Sequence, residues 1–286
     1  MKTVLRILQQ HLWPAKPQVQ ILSDLHLEIG QQYSTFTFPA TAPFLLLAGD
    51  IGRLIDYDGY RSFLESQAAR YTKVFLVLGN HEFYGMDYAS GLETARRLSQ
   101  EPSLSDKVVL LHRSRWDDPN SCLTILGCTL WSAIPEDACA LVEGNVNDFK
   151  QIKEWTAHNH NKVHSEEVAW LRDEVVRVQA SSQSGKRSIL VVSHHAPCIK
   201  GSSRPEHDGS PWTPAFATDL VEEEWCKGVK VWAFGHTHYS NRFWRNGIKL
   251  VSNQRGYTLP GGVSLEPKFA GRKPRYQFDA ALAIAV

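Results

Sequence analysis

Five short apolar runs in this chain each stop abruptly on side chains that bind divalent metals. They are VQIL before Ser23-Asp24-Leu25-His26, FLLLA before Gly49-Asp50, VFLVL before Gly79-Asn80-His81-Glu82, ILVV before Ser193-His194-His195, and VWAF before Gly235-His236-Thr237-His238. Runs of this length, rich in branched and aromatic residues and without a polar face, predict strands buried on both sides. Ligands of such sheets collect beyond the carboxyl ends of the strands. The five polar clusters are therefore expected to converge on one edge of an α/β fold.

Asp24 and His26 are two residues apart, so on an extended strand end both side chains can point the same way, and His236 and His238 share that spacing. With Asp50, Asn80 and His194 they make seven oxygen and nitrogen donors and no thiolate. Such a set suits Mn, Fe, Zn or Co and does not suit copper(I).

At 286 residues with 43% hydrophobic side chains, the chain can bury a substantial core, and one domain over 1–286 is expected. Net charge is +1, from 31 basic against 30 acidic residues, so no overall field draws the chain to nucleic acid or an anionic membrane. Five cysteines, odd in number and without CxxC spacing, fit a reduced interior. The N-terminal MKTVLRILQQHLWPAKP is interrupted by polar residues and lacks a signal-peptide core, and no apolar run approaches the roughly 20 residues of a membrane span. A soluble, cytoplasmic protein is expected.

Along the chain, helical spacing of Tyr60, Phe63, Leu64 and Ala68 predicts a crossover helix over Tyr57 to Thr72, and a second helix is expected around Tyr88 to Ser99. VVLL at 108–111 and LTILGCTLW at 123–131 read as strands. The longest helical signal runs from Asp148 to about Ser181, with a break expected near Asn159 and Asn161. Residues 197–214, rich in Pro, Gly and Ser, predict a long loop placed to act as a lid over the site, and Asn246-Gly247 predicts a hairpin turn. The segment 261–286, with Lys268, Arg272, Lys273 and Arg275, reads as a solvated C-terminal tail. His158, His160 and His164 in HNHNKVH have no carboxylate partner in sequence and read as a solvated helix face.

The motifs D-x-H, G-D, G-N-H-[DE], H and G-H-x-H, in this order, make the chain resemble the calcineurin-like metallophosphoesterase superfamily from about Val19 to Asn253. The resemblance implies two mixed β-sheets packed as a sandwich and flanked by helices, a four-layer αββα fold. It implies a dinuclear centre with Asp24, His26 and His238 on one metal ion, Asn80, His194 and His236 on the other, and Asp50 bridging them. The position directly after the strand favours His194 over His195 as the ligand, leaving His195 to line the pocket or support a ligand. The implied reaction is hydrolysis of a small phosphomonoester or phosphodiester by a bridging hydroxide. His81 then contacts the phosphate and acts as general acid.

Near these segments, Arg53 and Arg255 are candidates to bind a second phosphate, Arg204 and His207 in the lid could reach the substrate, and Trp212 could stack on a base or aromatic leaving group. Glu28 and Glu82 are candidates to support the histidines or the local backbone. The protein phosphatases of the superfamily continue G-D-x-x-D-R-G, whereas here the run is Gly49-Asp50-Ile51-Gly52-Arg53-Leu54, so the usual His/Asp dyad lacks its Asp and a protein substrate is disfavoured. A metal-bearing binding scaffold without catalysis, or a two-metal hydrolase acting on a non-phosphate substrate, are the competing readings.

Overall fold

Burial on two faces at once explains why the runs are almost wholly apolar; the one polar residue among them, Gln20, is buried with its amide hydrogen-bonded to Pro39, Thr41, Tyr71 and Ala280. The computed structural model describes residues 16–181, 187–207, 209–266 and 275–286. Its strands are β1 (Gln18–Leu22), β2 (Phe44–Ala48), β3 (Lys73–Val77), β4 (Val108–Leu110), β5 (Ser114–Asp117), β6 (Leu123–Gly127), β7 (Ser188–Val192), β8 (Val229–Phe234), β9 (Asn241–Arg245), β10 (Ile248–Ser252), the short pair β11 (Thr258–Leu259) and β12 (Val263–Ser264), and β13 (Ala283–Ala285). One sheet has the order β13-β1-β2-β3-β4 and the other β5-β6-β7-β8-β10-β9. β1 to β4 are mutually parallel, as are β6, β7, β8 and β10, while β13, β5 and β9 are antiparallel edges.

Alternate residues of each strand serve different layers. Phe44, Leu46 and Ala48 of β2 join Ile21, Phe75 and Val77 against Ile125, Leu190, Val192, Val231 and Ala233 of the second sheet. Leu45 and Leu47 face the other way, under α1 (Tyr57–Ala68) and α2 (Tyr88–Ser99), where they meet Tyr60, Phe63, Leu64, Leu92 and Ala95. The short helices α3 (Cys139–Asn145) and α4 (Asp148–Gln151) precede the long α5 (Ala157–Ala180). Leu171, Val175 and Val178 of α5 cover Ile189, Val191, Trp232 and Phe234 on the outer face of the second sheet. The layers are helix, sheet, sheet, helix, as the resemblance implies.

Several local expectations change. The long helical signal breaks over 152–156, ahead of Asn159, and α5 starts where the Thr156 side chain accepts from the Asn159 N–H at 3.2 Å. Asn161 lies inside α5 and exchanges two 2.8 Å hydrogen bonds with the backbone of Ile134. β6 stops at Gly127, and Leu130 and Trp131 turn away at φ 72° and 47°. That turn lays Trp131 over the helix face expected to be solvated. His160 is buried there, its Nε2 accepting from the Ser132 N–H at 3.1 Å, and His164 Nδ1 is 2.8 Å from the Leu130 carbonyl oxygen; only His158 is exposed.

The segment read as a solvated tail is exposed over 261–265 and at Arg275 but anchored at Glu266 and at its end. β13 pairs antiparallel with β1, and Glu266 reaches the candidate site. Residues 1–15, Lys268, Arg272 and Lys273 lie outside the described residues. Cys122, Cys128, Cys139, Cys198 and Cys226 are all free. Among the described residues no helix is long and apolar enough to cross a membrane.

Behind the second sheet, Glu167 of α5 is fully buried, with His112 Nδ1 3.8 Å from its carboxylate, beyond hydrogen-bond range. Burial raises its carboxyl from 4.5 to about 8, against a smaller lowering by Arg113. The folded chain therefore holds a proton here that the unfolded chain has released above its own pKa. Stability from this group is full below about pH 4.5 and is lost as pH rises through about 8. Urea unfolding is expected to show wild-type stability falling by a few kcal/mol between pH 5 and 8.5, with Glu167→Gln nearly flat. Parallel profiles for the two proteins would contradict this.

Candidate metal centre

All five donor segments follow carboxyl ends of parallel strands, three in one sheet and two in the other, so the seam between the sheets gathers them. Cross-sheet hydrogen bonds lock the seam: His194 Nδ1–H donates to the Ala48 carbonyl at 3.0 Å, and the His236 N–H donates to Asp24 Oδ1 at 2.9 Å. Five of the donors hold left-handed backbone, Asp24 at φ 52°, His26 at 46°, Asp50 at 53°, His236 at 74° and His238 at 49°. Each such residue costs on the order of 1–3 kcal/mol and persists only where its surroundings over-determine it, a habit of functional sites.

Glu82 supplies part of that constraint. Its buried carboxylate accepts the N–H groups of Asp50 at 2.9 Å, Ile51 at 2.8 Å and Gly79 at 2.6 Å, and the Tyr60 hydroxyl at 2.9 Å. Of the two roles open to Glu82, it takes that of holding the backbone. Gly79 must be glycine because a Cβ there would stand 2.2 Å from Asp50 Oδ1.

The donors form two nests. Asp24, His26 and His238 bring ligand atoms within 4.8 Å of one another, and so do Asp50, His194 and His236. Asp50 faces both, with Oδ1 3.3 Å from His194 Nε2 and Oδ2 3.8 Å from His26 Nε2. Asn80 Oδ1 lies 3.0 Å from His194 Nε2. That orientation is enforced, since the Asn80 amide donates to Asp148 Oδ1 at 2.7 Å and turns its oxygen inward.

The far nitrogen of three rings is also engaged, which sets the tautomer. His26 Nδ1 is 3.2 Å from Glu28, His238 Nδ1 is 2.5 Å from Glu266, and His194 uses the Ala48 carbonyl. Their Nε2 atoms are thus directed into the nests.

The electrostatics suit cations. Burial, then the neighbouring His81, lowers His26 to about 4, and burial with His194 holds His236 well below the usual range, so both present neutral rings with lone pairs. Burial opposes the charged form of His194, but Asp50 and Asp24 raise it to about 10. Asp50 stays ionised, since His194 and His81 more than offset its burial. Asp24 Oδ2 and His236 Nε2 are buried without a partner among the described residues. An all-oxygen-and-nitrogen set with an orphaned carboxylate oxygen fits two first-row cations.

His81 lies on the open side of the nests. Its Nδ1 is 2.9 Å from Glu28 Oε1, its Nε2 is 3.1 Å from the Tyr257 hydroxyl, and its ring stacks on Tyr84 at 4.1 Å. Burial disfavours its cation, yet Asp50 and the Glu28 bond raise it to about 9. Glu28 therefore provides the carboxylate absent from the loop after Asp50. His81 Nε2 is also 4.0 Å from Asp50 Oδ2, close enough to His26 and Asp50 to join a ligand group.

Outside His81 opens a cavity of about 630 Å³. Residues of the 197–214 segment, Arg204, His207 and Trp212, line it together with Asn145, Val146 and Asp148. Arg204 is buried and pairs with Glu266 at 3.1 Å.

Three expected substrate contacts are placed elsewhere. Arg53 Nη2 pairs with Asp56 at 3.1 Å, and Arg255 donates to the Leu25 carbonyl at 2.9 Å and Gln32 at 2.8 Å while covering Phe36; neither lines the cavity. His195 is wholly buried, its ring centroid 4.0 Å from that of His236 and 5.2 Å from that of Trp131, so it packs against His236 and does not line the cavity. Asp148, Tyr84, Tyr257 and Glu266 were missed, and only their fold neighbours mark them out.

A family profile described as calcineurin-like phosphoesterase matches residues 18–240. An uncharacterized protein, L509, of Acanthamoeba polyphaga mimivirus is 25% identical over 259 residues, which cover 84% of this chain and 91% of that protein. Among solved structures, a phosphopantetheinyl hydrolase from Mycobacterium tuberculosis superposes with TM-score 0.63 at 18% identity, covering 91% of this chain and 100% of that one. A dimetal phosphatase from Danio rerio superposes with TM-score 0.50 at 13% identity, covering 84% and 88% respectively. Both structural likenesses speak to the fold.

Proposed function

The chain belongs to the calcineurin-like phosphoesterase family, and on that premise we propose that it is a dinuclear-metal phosphoesterase acting on a small phosphomonoester or phosphodiester. Asp24, His26 and His238 would hold one cation, Asn80, His194 and His236 the other, and Asp50 both. The observation that carries this reading is Asp50 itself, whose two oxygens face separate donor nests at 3.3 and 3.8 Å. When bound, such a pair supplies Lewis acidity that neutralises phosphoryl oxygens and brings the pKa of water toward neutrality.

The chain's own residues do the rest. Glu28 holds His81 by Nδ1, and the cation that Asp50 and Glu28 favour keeps a proton on Nε2, toward the cavity. Water attacks phosphorus and gives up a proton to solvent, the P–O bond to the leaving group breaks, and His81 gives its Nε2 proton to the departing oxygen and is reprotonated from solvent. Tyr257, whose hydroxyl lies 3.1 Å from that nitrogen, fixes the ring's direction. The lid wall and the Asn145–Asp148 wall then accommodate the ester groups.

Purified protein freed of metal by chelation is expected to be inactive on bis-p-nitrophenyl phosphate and to release p-nitrophenol once Mn²⁺ is restored. Absence of turnover on any phosphate ester with any of Mn²⁺, Fe²⁺, Zn²⁺ or Co²⁺ would contradict the reading.

A further inference from the structure

Residues 256–266 lie beyond the span matched by the family, 18–240, yet they close one side of the centre. Glu266 Oε1 accepts from His238 Nδ1 at 2.5 Å and from the Tyr257 N–H at 3.0 Å, and its Oε2 accepts from Arg204 at 3.1 Å. The chain makes room for this carboxylate at Gly256, φ 72°, where a Cβ would come within 2.7 Å of Glu266 Oε1. The β11–β12 hairpin returns the backbone so that the Leu265 N–H donates to the Tyr257 carbonyl at 2.8 Å, which sets Glu266 over the site. Tyr257 itself packs against His26 and His238, with ring centroids 4.5 and 4.6 Å away.

We propose that Glu266 is a positioning residue for the cation held by Asp24, His26 and His238, fixing His238 with its proton on Nδ1 and its Nε2 lone pair turned inward. The inference rests on the two-cation reading above. An imidazole that donates to a carboxylate is restrained in rotation and is a better ligand, and loss of such a partner costs 10- to 100-fold in affinity. His26 and His194 have their own acceptors in Glu28 and Ala48, so the effect belongs to one nest.

The test is calorimetric titration of metal-free protein with Mn²⁺ alone, with the metal-free melting temperature recorded beside it. Wild type is expected to show two binding events. Glu266→Ala is expected to weaken one event about 10- to 100-fold and leave the other within about twofold, while loss of the bonds to Arg204 and Tyr257 lowers the metal-free melting temperature without altering that selectivity. Glu266→Gln, whose amide oxygen still accepts from Nδ1 but carries no charge, is expected to weaken the same event several-fold. It carries the test should the alanine variant not fold. Unchanged affinities, or equal weakening of both events, would overturn the proposal. A wild-type protein that binds no pair of ions would instead overturn the two-cation reading.

Discussion

Asp50→Asn is expected to lower turnover by at least about 10³-fold, the several kcal/mol of charge stabilisation that a metal pair supplies, and to lose bound metal at the same time. The substitution preserves volume, so the fold is expected to survive it. What changes is that one carboxylate oxygen becomes an amide donor, while both oxygens of Asp50 face imidazole nitrogens within 4 Å, His194 Nε2 on one side and His26 Nε2 on the other. Whichever way the amide turns, both nests lose the negative charge and one of them also loses its oxygen donor. Asp50 Oδ1 also accepts the His81 N–H at 2.9 Å, so an inverted amide would cost that bond too. Metal analysis by mass spectrometry, kinetics on one preparation and circular dichroism check the three parts. A variant that keeps two ions and most of its activity would show that Asp50 does not bridge.

His81→Ala is expected to lower kcat by about 10² to 10⁴ while leaving metal content unchanged. Its Nδ1 and Nε2 are engaged by Glu28 and Tyr257, and its ring faces the cavity. The deficit is expected to shrink for esters of good leaving groups such as p-nitrophenol, which depart without a proton, and to be largest for alkyl esters. Because His81 also lies within reach of His26 and Asp50, the opposite outcome has a clear signature. Loss of metal together with a deficit that ignores the leaving group would make His81 a ligand and remove its role as acid.

The strand ends were legible in sequence because burial on both faces leaves a local mark, an apolar run (broken only by Gln20 in the first) ended by a glycine or serine, and each run delivers its donor within two to four residues. That the two sheets face each other was not legible from the runs. An apolar residue records that it is covered, not by what, and Leu46 and Leu47 look alike although one meets the second sheet and the other a helix. The sandwich is implied only by the family resemblance that the motifs carry.

Partners that hold the ligands in place were hidden for a related reason. Asp148 reaches Asn80 across 68 residues and Glu266 reaches His238 across 28, and nothing in their neighbourhoods distinguishes them from ordinary helix-start and surface acids. Glu28 was easier, since it sits two residues from His26 on the same strand end. Proximity in sequence misled at Arg53 and Arg255. Arg53 is three residues past the left-handed turn at Asp50, by which point the chain has swung toward α1 and Asp56. His160 and His164 illustrate the same limit for helices: spacing shows that they share a face, and only the turn at Leu130 and Trp131 decides that the face is buried.

Anomalous diffraction from crystals grown with Mn²⁺ tests the shared-carboxylate centre most directly. Two peaks about 3.5–4 Å apart are expected, one beside Asp24, His26 and His238, the other beside Asn80, His194 and His236, with Asp50 between them. A single peak, or two peaks that do not share Asp50, would contradict it.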